Sequence, residues 1–129
     1  MKTIVMTADI PSGRGRIYPM QVLEDIVAEW MNQECILGKI ILQNEINNVY
    51  YRKDQIIAFD RVSHKASNLR LEGNDLVCDI DILDNKNGKQ LEDLIAKDKI
   101  YFAPSGIGRM NNDKVSSYSL KYINAVEKE

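Results

Sequence analysis

The sequence predicts an α+β domain, built as a mainly antiparallel β-sheet or small barrel with two helices. Three observations predict it. Several short segments alternate apolar and polar residues at period two, the mark of half-buried strands. Two others repeat apolar residues at helical spacing. Between Leu71 and Leu76 lies Glu72-Gly73-Asn74-Asp75, a turn joining two alternating runs into a hairpin. The 129 residues suit one domain, against a usual size of roughly 100–200 residues. No linker, repeat or low-complexity block divides residues 1–129.

Each element follows from its own residues. Residues 1–10, where Ile4, Met6, Ala8 and Ile10 alternate, read as the first strand, and the polar turn Pro11-Ser12-Gly13-Arg14-Gly15-Arg16 follows. Pro19 suits the first position of a helix, where its missing N–H is no loss. Val22, Leu23, Ile26, Val27, Trp30 and Met31 make one apolar stripe, with Glu24, Asp25 and Glu29 on the other side. Residues 35–43 read as a strand, with Gly38 at a bulge. The Asn- and Tyr-rich residues 44–55 read as a surface loop, and 56–62 as a short strand. In the hairpin's return strand, Leu76, Cys78, Ile80 and Ile82 share one face, and Val77, Asp79 and Asp81 the other. Asp84-Asn85-Lys86-Asn87-Gly88 opens a second helix carrying Leu91, Leu94 and Ile95. Residues 100–102 read as a strand, 103–112 as a loop with two glycines, and 117–126 as the closing strand.

Composition narrows the function. Apolar residues make up 44% and charged residues 28%, as in ordinary globular domains. The 17 basic and 19 acidic residues leave a net charge of −2, so no overall field draws nucleic acid or an anionic membrane. No run approaches the roughly 20 apolar residues of a membrane span, and Asp9 comes too early for a signal peptide. Cys35 and Cys78, far apart, form neither a metal pair nor a disulfide framework, and read as small apolar core residues of a cytosolic protein. The chain has one histidine, His64. Histidine-based catalysis uses this residue or none.

Three clusters invite chemistry. Asp79, Asp81 and Asp84 carry oxygens suited to a hard cation, yet alternating acids are also what a half-exposed strand displays; no metal and no cofactor is expected. Arg14 and Arg16, in a basic flexible turn too short for a nucleic-acid module, suit a protein contact. Ser105-Gly106-Ile107-Gly108 has the makings of an anion-binding loop, and Ser105 of a nucleophile, for which His64 is the one histidine able to serve as base.

The order of motifs resembles the prohead (capsid maturation) serine proteases of tailed phages. Gly15-Arg16-Ile17-Tyr18-Pro19 followed by Val22-Leu23 is similar to that family's "NGRIYP..VL" opening. Asp60-Arg61-Val62-Ser63-His64-Lys65, Leu69, Glu72-Gly73-Asn74-Asp75-Leu76, Ile82-Leu83-Asp84, Asn87-Gly88-Lys89 and Leu94-Ile95 are similar to its "RVSH…L…GNDV…ILDTPNGK…LI" string. Gly106-Ile107-Gly108 falls where the family carries "SSRGLG", and residues 115–126 resemble its closing strand without the usual "DPS" ending. The resemblance spans residues 12–126 and implies the fold common to prohead proteases and herpesvirus assemblin.

It also implies serine proteolysis, and here the chain departs from the pattern. Gly38-Lys39-Ile40-Ile41-Leu42-Gln43 matches the family's "GELDHP", so Leu42 stands at the histidine position and Lys39 at the glutamate position. Ala103 and Pro104 stand at the two serine positions of "SSRG", with Ser105 at the arginine. His64 matches a separate histidine of the family. The expectation is a catalytically degenerate member: a non-catalytic, capsid-associated protein of the virion, present in the host cytoplasm during assembly. Its partners would be the major capsid protein or other virion proteins, within an oligomer or larger assembly, with Tyr50, Tyr51, Arg14 and Arg16 as candidate contacts. The alternatives are a diverged serine endopeptidase using Ser105 and His64, and a small adaptor or inhibitor of a phage or host protein.

Overall fold

The computed structural model describes residues 1–11, 15–45 and 59–129. Among them run β1 (Lys2–Thr7), α1 (Met20–Trp30), β2 (Ile36–Ile41), β3 (Val62–Glu72), β4 (Asp75–Ile82), α2 (Lys86–Ala96), β5 (Ile100–Asn111) and β6 (Lys114–Glu127). The strands form one curled, mixed sheet, a half-barrel in the order β1-β4-β3-β2-β6-β5. Every pairing is antiparallel except β2 with β6. The predicted α+β class with two helices is what the structure has.

Ile17 helps to close the curl. Its N–H donates to Asp113 O (2.9 Å), and its carbonyl accepts from Val115 N–H (2.8 Å), alongside the start of β6. One residue on, Tyr18 O accepts from Asp9 N–H (2.9 Å) just past β1. The segment before α1 thus ties one end of the sheet to the other.

Bulges decide which residues face the core. In β1 the register slips between Ile4 and Met6, so Val5 and Met6 are both buried while Ile4 is 52% exposed. The predicted alternation of Ile4 with Met6 therefore fails, because an extra residue reverses the pleat. In β6, Tyr122 pairs with Ser105 but Leu120 pairs with Gly106, leaving Lys121 as the extra residue. Leu120 and Ile123, which strict alternation sets on opposite faces, are both fully buried.

Other expectations need correction. Met31 lies past the end of α1 and is 73% exposed, so the core-facing stripe is Val22, Leu23 and Ile26. Phe59–Arg61 is a 3₁₀ turn rather than strand, and β3 begins at Val62. Val77 is buried rather than solvent-facing. Residues 103–111, expected as loop, continue β5 and pair with β6 as far as the Asn111–Lys114 turn. Lys86–Gly88, expected as turn, forms the first turn of α2, capped by Asn85 Oδ1 accepting the Gly88 N–H (2.7 Å).

The core joins α1 and Leu91 of α2 to the concave sheet residues Ile36, Ile40, Leu76, Cys78, Ile80, Phe102, Leu120 and Ile123. Burying each large aliphatic side chain contributes roughly 1.5–3 kcal/mol. Among the described residues no helix is long and apolar enough to cross a membrane. Leu23→Ala is expected to cost about 2–5 kcal/mol in chemical denaturation. Met31→Ala, only eight positions along the same sequence stripe, is expected to change stability by less than about 0.5 kcal/mol.

Candidate functional site

His64 is the one residue of its kind in the chain, and the start of β3 buries it completely along with Ser63. On the sheet it pairs with Gly38 of β2 on one side and Ile82 of β4 on the other. Gly38 explains where the ring goes. A Cβ there would collide with His64 Nε2 and with the carbonyl oxygen of Ile123. With only a hydrogen at that point, the imidazole reaches across β2 and meets Ile123 O of β6 at 2.7 Å. The bulge between Gly38 and Lys39 lies at the same place, as a strand glycine next to a close backbone approach leads one to expect.

The chemistry of the partners fixes the tautomer. A carbonyl oxygen only accepts, so Nε2 carries the hydrogen and donates to Ile123. Nδ1 is then the acceptor, and the Ser63 hydroxyl donates to it at 2.7 Å. The Phe102 ring meets the imidazole edge to face, with centroids 5.3 Å apart and planes at 81°. Burial pushes the His64 pKa below its ordinary 6.5, and the bond to Ile123 opposes part of that shift. The result is a neutral, desolvated imidazole with both nitrogens engaged.

Ser105 and His64 are not brought together. The ring's two nitrogens bond Ser63 and Ile123. From Phe102 to Ser105, β5 pairs in unbroken register, so residues three apart point to opposite faces. Phe102 faces the imidazole, and Ser105 faces away from it. The expected anion loop is strand as well. A Cβ on Gly106 would strike Ser119 O, and one on Gly108 would come within 2.9 Å of the Tyr118 ring. These glycines let Tyr118 lie against β5, where it meets Tyr18 edge to face at 5.7 Å.

No family model matches the chain, and no curated protein matches it. Among solved structures it is similar to the bacteriophage T4 capsid assembly protease gp21, with a TM-score of 0.79 and 17% identity. The match covers 98% of this chain and 79% of that one. The chain has a prohead-protease-like fold.

Leu42, Lys39, Ala103 and Pro104, which the sequence resemblance sets against that family's catalytic motifs, lie at separate places in the fold. Leu42 follows directly after β2 and lines a small depression with Ile40, Arg61, Asn87 and Gln90. None of these five acts as a proton acceptor near neutral pH. Arg61 is already paired with Glu45 at 2.9 Å, and Asn87 donates to Asp60 O at 2.5 Å. Lys39 offers its backbone N–H to Asn124 Oδ1 (3.1 Å). Ala103 and Pro104 lie in the β5–β6 ladder opposite Asn124 and Ile123.

The remaining candidates disperse. Asp79 accepts from Asn68 (3.0 Å) and Arg70 (3.4 Å), and these contacts, the Asn68 bond foremost, hold its carboxyl below the usual range. Asp81 pairs with Lys65 across the hairpin. Among the described residues no three metal-ligating side chains converge. Cys78 is buried, and burial with the nearby Asp79 charge pushes its thiol up to about 11. Cys35, expected in the core, is only half-buried, and both thiols are free. Arg16 is half-buried beside Ile17, while Arg14, Tyr50 and Tyr51 lie outside the described residues.

Sequence reading missed the acceptor that matters most to His64, the main-chain carbonyl of Ile123. Gly38 in an apolar strand was the available signal. Gly38→Ala is expected to destabilise the domain by about 1–3 kcal/mol, read as a lower denaturation midpoint with an unchanged slope.

Proposed function

We propose that this chain is a capsid-associated phage protein that keeps a prohead-protease-like fold for binding and has given up cutting. It would act as an auxiliary capsid protein or a non-catalytic partner in assembly. The supporting observation is the state of His64: the chain's only histidine is buried, neutral and bonded through both nitrogens. A general base must reach the proton that it removes, and this ring reaches only Ser63 and Ile123. Leu42, Ala103 and Pro104 at the positions matched to the catalytic motifs support the same reading.

The capsid association rests on the fold likeness to a phage capsid assembly protease. On this reading the partners are the major capsid protein or other virion proteins, and the protein acts as part of a larger assembly. It belongs to the virion, passing through the host cytoplasm during assembly.

Two measurements test the proposal together. Mass spectrometry of purified particles is expected to find the chain at a defined copy number, and its absence would overturn the auxiliary capsid role and leave an assembly or host-directed factor. Incubation of the wild-type chain with capsid and scaffold proteins is expected to leave both intact on a gel. Cleavage that disappears in Ser105→Ala would instead establish a serine endopeptidase.

A further inference from the structure

We propose that His64 is an acid-sensitive latch on the seam between the two halves of the sheet, so that mild acid opens this seam before it unfolds the domain. The seam is short. β1, β4, β3 and β2 form one antiparallel group, β6 and β5 the other, and only Ile40 with Ala125 and Ile41 with Val126 pair across the junction. By contrast, β5 and β6 pair along almost their whole length. Side chains reinforce the junction. Asn124 Oδ1 accepts from Lys39 N–H (3.1 Å), Glu127 Oε1 from Gln43 N–H (2.9 Å), and Glu127 O from Gln43 Nε2 (2.6 Å). The fourth such bond is His64 Nε2 to Ile123 O (2.7 Å). Of these groups, only an imidazole has an ordinary pKa between pH 5 and 8.

Protonation changes the latch in a defined way. The proton adds to Nδ1, which turns from acceptor to donor, so the Ser63 hydroxyl can no longer donate to it. A cation then occupies a fully buried site. Among the described residues, the groups set against the ring are Ser63 of β3, Gly38 of β2, Ile82 of β4, Phe102 of β5 and Ile123 of β6, and none ionises near neutral pH. The helices present Val22, Leu23, Ile26 and Leu91 to the core, again without charge. The charged groups of the seam itself are Lys39 and Glu127, with the Glu127 carboxylate bonded to Gln43; Lys65 follows His64 on β3. With no countercharge against the ring among the described residues, separating β2 and β3 from β6 is what hydrates it. The β3–β4 and β5–β6 ladders need not break.

The sign follows from the direction of the shift. The folded pKa of His64 lies below 6.5, so the latch is fully closed above that pH and weakens as pH falls toward the folded value. Within that window the opening constant rises about tenfold per pH unit.

One histidine in the chain makes the test clean. The intact protein, labelled at histidine, is followed by NMR from about pH 7.5 to about pH 5, with amide exchange measured alongside. The ring is expected as the Nε2–H tautomer at neutral pH. Below pH 6.5, as long as the closed-state ring stays neutral, exchange in residues 38–41 and 123–126 should quicken by about tenfold per pH unit, corrected for intrinsic exchange, and level off once that ring takes up its proton. Residues 66–80 of the β3–β4 hairpin should stay protected. His64→Gln keeps a donor for Ile123 O but takes no proton, so its seam should show no acid response. Three results would each overturn the proposal: seam and hairpin losing protection together, a ring that titrates while the seam stays closed, or an unchanged acid response in the Gln variant. If that variant does not fold, the wild-type ring and exchange data decide alone.

Discussion

The reach of one imidazole across a glycine organises this sheet. Only two residue pairs join β2 to β6, and theirs is the sheet's one parallel pairing, slightly weaker per residue than an antiparallel ladder. A side chain on β3 therefore does work that backbone would otherwise do, passing over Gly38 to bind the carbonyl of Ile123. The arrangement depends on three properties at once: no Cβ at residue 38, a donor at Nε2, and a serine hydroxyl to satisfy Nδ1. Removing any one leaves a buried polar group without its partner, which is costly where Ser63 and His64 are both fully buried.

The same geometry bears on chemistry. An imidazole used as structural mortar is a poor base, because its lone pair is occupied and, among the described residues, no charge lies beside its protonated form. Ser105 lies on the strand whose Phe102 covers the ring, yet the pleat turns its side chain the other way. Fold likeness does not by itself carry catalytic competence. The former is a property of the whole backbone; the latter needs a few side chains on particular faces, and folds routinely outlive such sites.

Bulges account for much of what the sequence concealed. Period-two reading assumes an unbroken pleat, and extra residues at Val5 and Lys121 reset the phase in β1 and β6. Nothing in Ile4-Val5-Met6 marks that slip, because all three are apolar. The long β5 was hidden for a related reason. Pro104, Gly106 and Gly108 read locally as loop, but Pro104 belongs to a strand at the edge of the sheet, where a missing N–H is tolerated. The two glycines make room for Tyr118 and the Ser119 carbonyl.

By itself the sequence determined the α+β class, the two helices, the β3–β4 hairpin and the bulge at Gly38. These follow from local periodicity and turn chemistry, which act between near neighbours. It also set the stock of catalytic groups, since one histidine limits histidine chemistry to one place. Only the tertiary structure decided what that histidine does. Its acceptor, Ile123 O, is a main-chain atom 59 residues away, and every residue type carries such an atom. No residue identity encodes that contact. Strand order and curl create it, and they set which partners the two ring nitrogens meet.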